Sequence, residues 1–170
     1  MKRRTTGAIL LLTACLGVVA FVPALEGQDN PGESEIQRGF DIAPVPLDLK
    51  GKTRNLVGLG SYYVNGPSDC YGCHSGPAGY LSGGNPFGLV FSRNLTPDAF
   101  GRPGGLTYEE FEQVMRLGAD FKNLAPPGPL IVMPWPAYRH GTDRYLKAVY
   151  EYLSAVPCIE GGPGVPANRC

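Results

Sequence analysis

The chain has 170 residues, with fifteen basic and fifteen acidic side chains, 24 glycines, 17 prolines and five cysteines. Lys2, Arg3 and Arg4 lie in a segment expected to be removed, and fifteen less these three leaves twelve basic against fifteen acidic residues, a balance that argues against a nucleic-acid partner. The length suits one domain, and so many glycines and prolines limit the apolar core that the chain can build unaided.

Met1-Lys2-Arg3-Arg4 is a positively charged start, and Gly7 to Val22 is apolar or small apart from Thr13, which reads as an export signal. Val22-Pro23-Ala24 offers small residues for cleavage, so residues 1–24 are expected to leave. Leu12-Thr13-Ala14-Cys15 also resembles a lipobox, and an uncleaved anchor is a third outcome, although the apolar run is short for a bilayer span. Each outcome places the rest of the chain in the periplasm or another extracytoplasmic space, with membrane association through the N-terminus in two of the three.

Residues 25–53 read as an extended leader. Glu26 to Glu35 is polar, and Ala43-Pro44-Val45-Pro46-Leu47 suits polyproline conformation across a surface. Helical periodicity begins at Leu56, continues through Leu59 and Tyr63, and breaks at Asn65-Gly66-Pro67.

Cys70-Tyr71-Gly72-Cys73-His74 follows at once. Two thiols with two residues between them can both add to the vinyl groups along one edge of a porphyrin, and the adjacent imidazole then takes an axial position on the iron. With five cysteines and two histidines in the chain, on the order of 0.002 such matches arise by chance. The motif therefore predicts one covalently bound haem c, held by Cys70 and Cys73 and ligated by His74. Zinc is the weaker reading, because Cys73 and His74 are adjacent and no second CxxC or HxxxH supplies the missing corner. A thioredoxin-like dithiol is weaker too, since Gly, Pro and Asn crowd both flanks where a βαβ unit would lie.

From Ser75 to Gly105 the chain is a long loop of turn formers, which needs something to order it; a haem edge is one candidate. Thr107-Tyr108-Glu109-Glu110 is a capping box, and Phe111, Val114 and Met115 make the buried stripe of a helix ending near Gly118. An irregular segment, 123–136, contains Met133. A final helix starts with Thr142 as N-cap, aligns Leu146, Val149, Tyr150 and Leu153, and stops before Pro157.

Candidates for the sixth iron ligand are Met133, Met115 and His140. Met115 sits on an apolar stripe, where methionine usually packs in a core, whereas Met133 lies in a Pro-bracketed loop stiff enough to present a thioether. Tyr62, Tyr63, Phe91, Phe100 and Trp135 are candidates to wall the haem, and Arg93 and Arg139 to neutralise its propionates. Cys158 and Cys170 remain, and in an oxidising compartment they are expected to form a disulfide tying down the tail 158–170; a free or intermolecular thiol at Cys170 is the alternative.

Taken together, these elements resemble a class I cytochrome c: a short helix before Cys70-Tyr71-Gly72-Cys73-His74, a Met133-Pro134 loop and a C-terminal helix. Leu59-Gly60-Ser61-Tyr62-Tyr63-Val64 resembles that family's N-terminal helix, whose glycine admits the C-terminal helix, and Ala148-Val149-Tyr150-Glu151-Tyr152-Leu153 resembles the partner helix, with Tyr152 as its packing aromatic. Asn94-Leu95-Thr96-Pro97-Asp98 and Met133-Pro134-Trp135 are further similar to cytochrome subunits of bacterial membrane-bound alcohol and sugar dehydrogenases.

The resemblance covers residues 54–157. It implies an all-α domain of few short helices and long Gly/Pro-rich loops wrapped around one haem, with His74 and Met133 as axial ligands. The implied role is single-electron transfer rather than catalysis, as a carrier or as the electron-transfer subunit of a respiratory oxidoreductase. Its partners would be redox proteins, a dehydrogenase or an oxidase. If Met133 does not bind, a five-coordinate iron acting as a small-ligand sensor or peroxidase is the alternative.

Overall fold

A computed structural model describes residues 31–122, 128–162 and 164–170, with the side chains of 31–33 left aside. The expected signal, lipobox and anchor, and the residues from 123 to 127, lie outside the described residues.

The fold is helix-rich. In chain order, α1 spans Pro31–Ile42, α2 Arg54–Asn65, α3 Cys70–His74, α4 Tyr108–Leu117 and α5 Asp143–Ala155. Among the described residues, four two-residue strands make two small antiparallel pairs: β1 (Pro86–Phe87) with β2 (Val90–Phe91), and β3 (Ala119–Asp120) with β4 (Gly128–Pro129). A 3-10 turn covers Trp135–Ala137. Among the described residues, no helix is long and apolar enough to cross a membrane.

The two sequence-predicted terminal helices cross at Gly60. A Cβ there would fall on the Ala148 carbonyl oxygen and lie 2.7 Å from the Tyr152 Cβ, so only glycine permits this approach. The crossing buries Val57 and Val64 of α2 against Leu146, Val149, Tyr152 and Leu153 of α5. Burying each leucine of that set contributes about 2 kcal/mol. The Tyr152 hydroxyl is not stranded in this core: it accepts from Asn65 Nδ2 at 3.0 Å and pairs with the Tyr80 hydroxyl at 2.8 Å. Tyr80 in turn donates to Asn65 Oδ1 at 2.5 Å, closing a three-residue polar ring inside apolar walls.

The expected caps are present. Thr107 and Glu110 form the full capping box of α4, and the Thr142 hydroxyl accepts from Tyr145 N–H to start α5. Met115 is core, 3 % exposed.

The extended leader needs correcting. Residues 31–42 are a helix, because Pro31 suits a first turn and Ile36, Gly39 and Phe40 fall on one face. That face packs on α2: a Cβ on Gly39 would strike the Gly58 carbonyl, and Ser61 Oγ donates to Gly39 O at 2.6 Å. The guanidinium of Arg54 also sits 4.1 Å from the centre of the Phe40 ring. Polar composition hid this helix, since three residues suffice for its buried face. Residues 43–49 do run without regular structure, yet they are no free tether. Val45 and Leu47 pack on the core and Asp48 N–H donates to Ala155 O at 2.8 Å.

The 75–105 loop is ordered from within the protein. Asp98 closes its last turn, accepting from Phe100 N–H (2.9 Å), Arg102 N–H (3.0 Å) and Arg102 Nε and Nη2 (3.0 and 2.8 Å). Burial raises the Asp98 pKa, but the Arg102 guanidinium and the two backbone amides lower it more, leaving it below the ordinary value of 3.8. A carboxyl depressed by folding adds stability above its unfolded pKa and loses it as pH falls through the folded one. Asp98→Asn is therefore expected to cost about 2 kcal/mol at pH 7. In thermal melts the difference from the parent should shrink progressively below about pH 4.

Candidate functional site

The Cys70 to His74 turn follows α2 directly. It forms the single-turn helix α3, entered through Asp69 in left-handed conformation (φ 44°). Cys70 is half-buried against the core and Cys73 is exposed; both thiols are free of disulfide. Burial pushes the Cys70 thiol up to about 12, with the Asp69 carboxylate adding to the shift.

His74 is held at both ends. Its main-chain oxygen accepts from Gly83 N–H at 2.7 Å, and its Nδ1 lies 2.7 Å from the Arg93 carbonyl oxygen. A carbonyl can only accept, so Nδ1 carries the proton and Nε2 keeps its lone pair. Burial also lowers the His74 pKa, the Arg93 carbonyl opposing it only in part, so the neutral imidazole is favoured. Gly83 makes this geometry possible: a Cβ there would sit 2.5 Å from both Arg93 C and Asn94 N. Asn85 Nδ2 fixes the neighbouring turn by donating to Cys73 O (2.9 Å) and Ser75 O (2.6 Å).

Met133 lies in a bend between β4 and the 3-10 turn. It is half-buried and borders the same apolar cluster as Cys70, Tyr80, Leu95, Leu106 and Tyr138. Its carbonyl accepts from Trp135 N–H at 2.8 Å. His140 is exposed.

The candidate walls divide. Tyr63 and Tyr145 meet edge-on with centroids 4.8 Å apart, and Tyr62 lies 5.7 Å beyond Tyr63. Phe100 is exposed beneath the Arg102 guanidinium, and Phe91 packs on Gly164 of the tail. Arg93 does not stand free for a propionate, since its guanidinium reaches both Asp120 oxygens at 3.2 Å; Arg139 is exposed. Asp120 ends β3, which follows the Gly118 C-cap of α4 directly and brings the carboxylate opposite Arg93.

Sequence reasoning missed two tyrosines beside the motif. Tyr138 donates to Ser68 O at 3.0 Å and Tyr145 pairs with Ser68 Oγ at 2.9 Å, so both buttress the turn that leads into Cys70. Burial pushes Tyr145 up to about 12, with the Ser68 hydrogen bond opposing it. Neither carries a local signature, since each acts across about seventy residues of chain.

Among the described residues, no three His, Cys, Asp or Glu side chains are grouped to hold a metal ion.

The chain is similar to the cytochrome c subunits of dehydrogenases. It is 34 % identical over 105 residues to the gluconate 2-dehydrogenase cytochrome c subunit of Pantoea cypripedii, a match covering 58 % of this chain and 22 % of that protein. It is 35 % identical over 100 residues to the fructose dehydrogenase cytochrome subunit of Gluconobacter japonicus, covering 54 % of this chain and 20 % of the other. The alcohol dehydrogenase (quinone) cytochrome c subunit of Gluconacetobacter polyoxogenes matches at 32 % over 105 residues, or 58 % and 21 % of the two chains. This chain thus spans about a fifth of the length of these relatives. No family model matches the sequence, and no solved structure does.

The residues present fit a covalently attached porphyrin. Both thiols are unpaired, the imidazole presents an Nε2 lone pair, and the thioether of Met133 borders the same apolar cluster as Cys70.

Proposed function

We propose that this is an exported c-type cytochrome domain, with one haem c joined to Cys70 and Cys73 and ligated by His74 and Met133, that passes single electrons to or from a dehydrogenase or another redox protein. The observation that carries the reading is the His74 Nδ1 to Arg93 carbonyl hydrogen bond, 2.7 Å long and directly beside two free thiols. That bond selects the tautomer an iron ligand needs and makes the imidazole a stronger base. The similarity to dehydrogenase cytochrome subunits supports the same conclusion.

When bound, a haem at this site would supply a one-electron couple. The protein's own part is to hold the couple without bond chemistry. His74 is oriented through Arg93, and Met133 offers a thioether that favours the reduced state and raises the potential. The apolar cluster beside Cys70 disfavours the extra positive charge of the oxidised state. The disulfide between Cys158 and Cys170, with Cα atoms 5.7 Å apart, fits an oxidising compartment, the setting expected of an exported chain.

A pyridine haemochrome assay on protein from a host with c-type maturation tests this directly. One covalent haem per chain is expected, falling to none in Cys70→Ala/Cys73→Ala. Wild type without covalent haem, or haem retained by the double variant, would overturn the reading.

A further inference from the structure

The tail beyond α5 does more than end the chain. It is locked into a ring by the Cys158–Cys170 disulfide and folded around Glu160, whose carboxylate accepts from Asn168 N–H (2.8 Å) and Cys170 N–H (2.7 Å). This ring presents Asn168, only 8 % exposed, to the loop Asn94-Leu95-Thr96-Pro97. Asn168 Nδ2 reaches Pro97 O at 2.8 Å, Thr96 Oγ1 at 3.0 Å and Thr96 O at 3.2 Å.

Ile159 completes the grip from the other side. Its carbonyl accepts from Asn94 Nδ2 at 2.7 Å, and its N–H lies 3.1 Å from Thr96 Oγ1. Asn94 Oδ1 then accepts from both Thr96 N–H and Thr96 Oγ1 at 2.8 Å, which braces the loop backbone from within. The residue immediately before this gripped loop is Arg93, whose carbonyl accepts the hydrogen bond from His74 Nδ1–H. Asn94 and Thr96 are 6 % and 0 % exposed, so with the tail in place their polar groups are shielded from water and rely on these hydrogen bonds.

We propose that the disulfide-closed tail is a positioning clamp for the axial histidine, with Asn168 and Ile159 holding the Asn94 to Pro97 loop so that the Arg93 carbonyl stays in place for His74. This rests on the electron-transfer reading, because the clamp matters to function only if His74 ligates iron. Its consequence is a set potential: a firm Nδ1–H to carbonyl bond strengthens the imidazole as a base and stabilises the oxidised iron, and a loosened one does the reverse.

The test uses the full-length haem-loaded protein in three variants: Asn168→Ala, Cys158→Ser/Cys170→Ser, and Val57→Ala on α2, a fully buried core residue, as a destabilised control outside the tail. Two quantities are read, the midpoint potential and the solvent exchange of the His74 Nδ1 proton followed by NMR in the reduced form. Both tail variants should keep their covalent haem, exchange that proton about tenfold faster or more, and show a higher potential. Val57→Ala should change neither. If the tail variants melt earlier but keep the parent's exchange rate and potential, or if Val57→Ala shifts both equally, the clamp does not exist. Absence of covalent haem in the wild type would instead sink the electron-transfer reading. In that case exchange of the Leu95 and Thr96 amides in haem-free protein decides the clamp, with parent-like rates in both tail variants overturning it.

Discussion

Met133→Leu should convert a closed iron site into an open one. The parent is expected to show a sulfur-to-iron charge-transfer band when oxidised and no rapid carbon monoxide binding when reduced. The variant should lose the band, bind carbon monoxide readily, and drop in midpoint potential by on the order of 0.1–0.2 V, a fraction of the roughly 0.8 V that axial ligands control. Met133 borders the same apolar cluster as Cys70, whereas Met115 is buried in the core and His140 is exposed, so neither stands ready to replace it. A parent that already binds carbon monoxide rapidly would point to a five-coordinate sensor or peroxidase-like site instead. Retention of the band in Met133→Leu would assign the thioether to another methionine.

The second large effect is on the fold. Gly60→Ala places a methyl group on the Ala148 carbonyl, and backbone cannot turn aside as a flexible side chain can. The α2–α5 crossing must then open, loosening Val57, Val64, Leu146 and Leu153 and exposing the Asn65, Tyr80 and Tyr152 hydrogen-bond ring to water. A loss of about 3 kcal/mol is expected, toward the upper end for overpacking. At this chain length that corresponds to a fall in melting temperature of about 10 °C in calorimetry or thermal circular dichroism. A variant melting within a degree or two of the parent would show that the helices are not in contact at Gly60.

These two expectations differ in how far they could be read before folding. The Thr107 and Thr142 caps, helices α2 and α5 and the Cys158–Cys170 pairing were legible because each rests on a local pattern or on the redox chemistry of a leftover pair. The resemblance also pointed to Gly60 and Tyr152 as the contact between helices. Helix α1 was not legible. Its buried face is Ile36, Gly39 and Phe40 amid polar residues, and what makes it stable is Gly58 and Ser61 on a different helix.

The neighbourhood of His74 was legible only in part. Chain order puts an imidazole beside two thiols, but its tautomer depends on a carbonyl nineteen residues away. That carbonyl is positioned by Gly83 against the loop backbone and by a tail more than sixty residues further along. Arg93 illustrates the difference: its side chain suggested a propionate partner, whereas in the folded protein the guanidinium pairs with Asp120 and the backbone oxygen faces the histidine.

By itself, then, the sequence placed two thiols and an imidazole within five residues, and set the helices that carry their own start and stop signals and the expectation of an oxidising compartment, because spacing, capping and thiol pairing act over a few residues or follow from composition. Only the tertiary structure decided that residues 31–42 of the leader form a packed helix, that the Arg93 carbonyl faces His74, and that the tail grips the Asn94 to Pro97 loop. Those features are hydrogen bonds and backbone contacts between distant segments, and no local pattern records which carbonyl a buried donor will find.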